Sequence, residues 1–172
     1  MPGLDTGLDA RLAQELWPSL VAGDGGDPAF LRLPIDSLDR SVGARVSGDI
    51  AERLDPTGLD GIRAHVRFEG SAGQSFATFA IRGLRLELVG EANDGVGKGL
   101  AGAHVDVRFR DGSPMADAPA EHVLVGNACL YGATAGLLLV GGCAGERFGV
   151  RNSGADAVVE GAGDHLCEYM TG

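Results

Sequence analysis

Most of this chain is written in short apolar runs separated by glycine. From about Asp39 onward, runs of three to six apolar residues recur, as in IRAHVRFEG (62–70), LRLELVG (84–90), AHVDVRF (103–109), HVLVG (122–126) and LLLVGG (137–142). Runs of that length, rich in Val and Leu, predict strands. The first residues read differently. In GLDARLAQELWPSLVA (7–22), Leu8, Leu12, Leu16 and Leu20 fall four apart, which predicts a helix that Asp9 would cap and Pro18 would break or kink near Trp17. A loop follows from Gly23 to Pro28, then a strand from Phe30 to Ile35. After residue 60 no stretch has helical periodicity long enough for a crossover helix, which argues against a doubly wound α/β fold.

The glycines keep a period. Gly136, Gly154 and Gly172 close the segments CLYGATAG, RFGVRNSG and HLCEYMTG at intervals of 18 residues, and Gly83 and Gly102 are 19 apart. Gly145 and Gly163 repeat the 18-residue step, and the linker RDGSPMADAPAE (110–121) interrupts the series. Strand, glycine corner and strand again, at 18 to 20 residues, predicts a β-solenoid whose turns stack roughly 4.8 Å apart as parallel strands. The expected class is therefore all-β with a short N-terminal helix. Residues 1–38 form the lead-in helix and strand, and residues 39–172 form the coiled β domain.

Composition sharpens this. Glycine numbers 29 and aromatics make up 5% of the chain, as corners and a thin Val, Leu, Ile and Ala interior would require. A net charge of −10 argues against nucleic acid or an anionic membrane as partner. Cys129, Cys143 and Cys167 form neither a disulfide framework nor a C-x-x-C, so reduced thiols in a cytoplasmic protein are expected.

Candidate chemistry is sparse. GEANDGVGKGLAG (90–102) holds G-x-G-x-x-G at Gly97, Gly99 and Gly102, and a Gly-Lys pair. A dinucleotide fingerprint needs a following helix, and here a strand, AHVDVRF, follows. A phosphate loop needs Ser or Thr after the lysine, and Gly99 stands there. Corners explain the glycines better. Asp164 and His165 are neighbours and would point to opposite faces of a strand, so they suit a corner better than a metal site. Ser71, Ser75 and Ser153 have no positioned base. Asn93, Asn127 and Asn152 fit corners, where Asn tolerates left-handed geometry. Arg147 and Arg151, four apart, would share a strand face and either hold an anion or pair with Glu146, Glu160 and Asp164, with internal pairing favoured. No catalytic, cofactor-binding or metal residue is assigned.

Six blocks together carry a resemblance: DRSVGARVSGDIA (39–51), GSAGQSF (70–76), GEANDGVGKGLAG (90–102), GNACLYGATAG (126–136), AGERFGVRNSGA (144–155) and VVEGAGDHLCEYMTG (158–172). They resemble the C-terminal GXGXG domain of the glutamate synthase large subunit. On that resemblance Gly83, Asn93, Asp94, Gly97, Gly99, Gly102, Gly126, Asn127, Gly136, Gly145, Arg147, Arg151, Asn152, Gly154, Gly163, Asp164, His165 and Gly172 are motif positions of structural character. The resemblance implies a right-handed parallel β-helix that carries no catalytic residue. It acts as a scaffold in glutamate biosynthesis, with FMN and the iron–sulfur clusters in partner domains beside the amidotransferase. Related domains occur as subunits of formylmethanofuran dehydrogenase and N-methylglutamate synthase, so a free-standing binding module is the alternative. An enzyme in its own right, with a site near Arg147, Arg151, Asp164 and His165, is the third reading. The chain departs from the family at Gly95, where an aromatic is common. It also begins at its own Met and stops at Gly172, short of the usual length, from which an exposed end and self-association or capping by a partner are expected.

Overall fold

Two helices and one parallel sheet share a single core. The computed structural model describes residues 7–22 and 27–172, so residues 23–26 of the expected loop lie outside it. Helix α1 (Leu8–Val21) buries Leu12, Leu16 and Leu20, the face set by the four-residue leucine spacing, and runs through Pro18 rather than breaking there. Helix α2 (Ala44–Arg53) buries Val46 and Ile50 one turn apart. Its Arg53 lies over the Trp17 ring of α1 at 3.9 Å.

Asp9 does not cap its own helix, which has no side-chain cap. Its Oδ1 accepts from the Gly43 N–H at 2.6 Å and its Oδ2 from the Arg45 N–H at 2.9 Å. It therefore caps α2, whose own N-cap is a glycine without a side chain to do so. Burial raises the Asp9 carboxyl above its usual range, against the pull of the two N–H groups.

The strands are β1 (Ala29–Ile35), β2 (Ala64–Ala72), β3 (Leu84–Ala92), β4 (Ala101–Arg108), β5 (Val123–Val125), β6 (Ala135–Ala144) and β7 (Asp156–Ala162). The sheet order is β1-β2-β3-β4-β6-β5, with β7 on β6 and β5 also touching β3. Every pairing between these strands is parallel. The register aligns like with like. Leu31, Val66, Leu86, Val105, Leu138 and Ala157 form one row across the strands, and Leu33, Phe68, Leu88, Val107, Val140 and Val159 form another. Phe68, Leu86 and Leu88 are fully buried, each contributing about 1.5–3 kcal/mol. The intervening row faces outward and carries charge. Arg67 and Arg108 meet Glu87, and Arg85 meets Asp106 at 3.0 Å.

The expected all-β, right-handed parallel β-helix is corrected by these elements. The fold is mixed α/β, with a mostly parallel sheet and two substantial helices. Leu12 and Leu16 of α1 and Val46 and Ile50 of α2 belong to the same core as Val66 and Leu86. Sequence reading missed α2 because Gly43 and Gly48 look like corner glycines and its apolar face is short. Strand β7 was missed too, because its apolar residues do not alternate cleanly with polar ones. Residues 110–121 lead from β4 through two short 3-10 turns, Pro114–Asp117 and Pro119–Glu121, into β5. Among the described residues no helix is long and apolar enough to cross a membrane.

Asp9→Ala should leave the start of α2 without acceptors and lower stability by about 1–2 kcal/mol, read as a fall in the urea midpoint at unchanged m-value.

Candidate functional site

L-residues avoid positive φ because Cβ crowds the following carbonyl, at a cost of roughly 1–2 kcal/mol each. Five segments of this chain nevertheless place every second residue there: Ser75, Ala77 and Phe79; Gly95, Gly97 and Gly99; Ala128, Leu130 and Gly132; Arg147, Gly149 and Arg151; His165, Cys167 and Tyr169. Apart from Ser41, every left-handed non-glycine residue described lies in these segments. Within a segment, N–H groups bond carbonyls three residues back, as Lys98 does to Gly95 at 3.1 Å and Leu100 to Gly97 at 2.9 Å. Such a turn with a left-handed third residue is what a type II turn requires.

The segments stack into a column. Ser75, Gly95, Ala128 and Arg147 donate forward to the carbonyls of Asp94, Asn127, Glu146 and Asp164, each at 2.8 Å. The middle residues donate backward: Gly97 to Phe76, Leu130 to Val96, Gly149 to Cys129 and Cys167 to Phe148, all at 2.8–2.9 Å. Side chains add rungs. Asp94 Oδ1 accepts from the Asn127 N–H at 2.7 Å, and Asn127 Oδ1 accepts from the Glu146 N–H at 2.8 Å. Asn93 Oδ1 takes the Asp94 N–H at 2.8 Å. Buried Asn152 bridges Gly154 and Ala155 through both ends of its amide. Asn therefore works by capping backbone, not by stacking on other Asn.

The glycine stretch of residues 90–102 is one layer of this column. The N–H groups of Gly95, Gly97 and Gly99 go to Asn127, Phe76 and Tyr131 of the neighbouring layers. They do not converge on a common point, and no helix follows them, so they form no phosphate cradle. Gly97 and Gly99 also make room: a Cβ at Gly99 would lie 2.5 Å from the Phe79 ring, and one at Gly97 3.1 Å from Leu130 Cδ2.

The periodic corner glycines sit where layers touch. Gly83, Gly102 and Gly136 have positive φ, and a Cβ at Gly136 would lie 2.6 Å from the Ala103 carbonyl. Gly154 faces the Thr134 carbonyl and Gly172 the Ser153 carbonyl in the same way. A second set, Gly126, Gly145 and Gly163, marks the entry to each turn, with N–H groups bonded to Ala92, Val125 and Ala144.

Arg147 and Arg151 are not on a strand. They are exposed turn residues with φ of 62° and 57°, joined to the next layer through their backbone N–H groups to Asp164 and Glu168. Neither guanidinium pairs with Glu146, Glu160 or Asp164, so the expected internal ion pairs are absent among the described residues. His165 instead bonds Glu168 through Nδ1 at 2.8 Å, and that hydrogen bond raises its pKa above the ordinary imidazole value. Ser71 donates to Glu91 at 3.0 Å and Ser153 to the Ala133 carbonyl at 3.2 Å. Burial pushes the Cys129 thiol up to about 12, which keeps it protonated and unreactive.

The column face holds a hollow of about 380 Å³ with Ser75, Gly95, Asp94, Lys98, Tyr131 and Arg147 around it. It joins residues of the glycine stretch to Arg147 from another layer. Lys98 Nζ lies 5.9 Å from the Tyr131 ring centre, at the outer limit of a cation–π contact. Sequence reading singled out Asp94 and Arg147 but not Tyr131. The only signal that would have joined residues 98, 131 and 147 was the layer period itself.

A family described as the GXGXG motif matches residues 12–172. The chain is 54% identical over 140 residues to ferredoxin-dependent glutamate synthase 2, chloroplastic, of Arabidopsis thaliana, covering 81% of this chain and 8% of that protein. It is 46% identical over 169 residues to the NADH glutamate synthase of Schizosaccharomyces pombe, covering 98% of this chain and 8% of that protein. It is 43% identical over 165 residues to the NADPH glutamate synthase large chain of Azospirillum brasilense, covering 96% and 11%. The chain thus spans about a tenth of the length of the relatives it matches.

Two outcomes follow from the column. Arg151→Gly removes a left-handed side chain and should stabilise by about 0.5–1 kcal/mol, whereas Gly136→Ala, driven into the Ala103 carbonyl, should destabilise by about 2 kcal/mol or more; denaturant titration reads both. Glu168→Gln should return the His165 pKa toward its ordinary value in an NMR titration. Because the folded value is raised, the stability this pair brings is present below the unfolded pKa and lost as pH rises through the folded one.

Proposed function

Because the chain belongs to the GXGXG-motif domain family of glutamate synthase large subunits, we propose that it is a non-catalytic scaffold of a glutamate-synthase-type oxidoreductase, holding amidotransferase and flavin domains in register. The observation that carries this reading is the use of the turn column. Its backbone N–H and C=O groups bond adjacent layers, and its side-chain carboxylates and amides cap backbone groups. A site for chemistry needs convergent groups free to meet a substrate; a scaffold needs a stiff surface, and this one is laced layer to layer.

The last layer supports the same reading. Val158, Leu166, Tyr169 and Met170 are exposed apolar side chains on β7 and the turn after it. Neighbouring polypeptide of the same assembly, or a second copy of the chain, covers them on this reading. Partner domains would supply the FMN and iron–sulfur chemistry.

Affinity purification from the native source tests the proposal. Amidotransferase and flavin-bearing polypeptide should accompany residues 1–172, in the same chain or in tightly bound ones. The 172 residues alone, given glutamine, 2-oxoglutarate and a reductant, should form no glutamate, and turnover without a partner would refute the scaffold role.

A further inference from the structure

We propose that the hollow over Gly95 is a socket for an acidic side chain of the polypeptide that the scaffold organises; this rests on the scaffold reading. Two cations from different layers rim it, Lys98 and Arg147. Lys98 is the sole lysine of a chain whose net charge is −10. Neither cation meets a carboxylate among the described residues. The arginines of the sheet face behave differently: Arg32, Arg67, Arg85 and Arg108 each pair with Glu69, Glu87 or Asp106. A chain with surplus acid has left two cations together without an ion pair to any of its own described carboxylates.

The floor beneath them is small and stiff. A Cβ at Gly95 would lie 3.3 Å from Ser75 Oγ, so any side chain there would crowd Ser75 and fill the floor of the hollow. The Gly95 backbone is fixed by its bond to the Asn127 carbonyl at 2.8 Å. Asp94 also lines the hollow, but its Oδ1 accepts from the Asn127 N–H and no ion pair joins it to Lys98 or Arg147. Tyr131 supplies one apolar wall. A carboxylate entering between Lys98 and Arg147 meets two positive charges carried on hydrogen-bonded backbone. Acid approaching other parts of this negative surface is repelled, which makes the socket a register mark.

A tethered side chain suits the socket better than a free carboxylate. Both cations are exposed and the hollow is open, so a small anion would exchange with water and salt. A segment of the same assembly is held at high effective concentration, and the relatives carry about nine-tenths of their length outside the matched region.

Zero-length carbodiimide coupling on the native assembly tests this, since any side-chain amine linked on this chain is Lys98. Peptide mass spectrometry should find Lys98 joined to an Asp or Glu outside residues 1–172. Lys98→Arg should abolish the link and keep assembly. The Lys98→Gln, Arg147→Gln double variant should weaken association about tenfold at low salt, with an unchanged denaturation midpoint. An assembly that elutes intact with Lys98 unlinked, or linked only within residues 1–172, would overturn the socket and leave the scaffold reading standing. Absence of any assembly would overturn both. Protection of Lys98 from acetylation by free 2-oxoglutarate, without a cross-link, would show a small-molecule site and also refute the docking role.

Discussion

The structure depends on backbone hydrogen bonds that run between layers of turns. The first four turn segments donate forward through their outer residues and backward through their middle one, and the last donates backward through Cys167. That alternation requires successive peptide planes to flip, and a flip at every second residue requires a left-handed φ there. The strain of placing Leu130 or Arg151 in that region is offset by the bonds their N–H groups make to the Val96 and Glu168 carbonyls. Glycine is needed at only some of these positions, mainly where a side chain from the adjacent layer, such as the Phe79 ring over Gly99, already takes the space.

The sheet and the column support each other. Parallel register aligns apolar residues in rows, and the same register brings each turn over the one before. Hydrogen bonds such as Thr78 Oγ1 to the Lys98 carbonyl and Ser153 Oγ to the Ala133 carbonyl span 20 residues of sequence, the length of one layer. The two helices cover the beginning of this stack. Asp9 ties them together by lending its carboxylate to the start of α2, next to β1 on β2 and the Ser41–Val42 backbone bonded to Gln74 and Ala77.

This construction shapes what the surface offers. The charged row on the sheet face is internally paired, with Glu87 shared by Arg67 and Arg108. These pairs are half-buried around Glu87, and they neutralise the face. The column face is different: at Gly95 the layers leave a depression, and the cations beside it are unpaired within the described chain. At that point rigid backbone presents two cations without an ion pair, beside Asp94.

Much of this was legible in the residues. The leucine spacing gave α1, the short apolar runs gave β1 to β6, and the glycine period gave the layer length, because each depends on contacts that local pattern must satisfy. The block-by-block resemblance pointed to the family, which the GXGXG match over residues 12–172 bears out. Helix α2 stayed hidden because two glycines masked a single turn of apolar spacing, and with it the mixed α/β class. The turn residues Arg147 and Arg151 were read as a strand pair because nothing in a sequence announces a left-handed arginine; only the bonds to Asp164 and Glu168 in the next layer impose it. The hollow was decided by tertiary structure alone. Lys98, Tyr131 and Arg147 are distant in sequence, and they meet only because stacking at a fixed register superposes their layers.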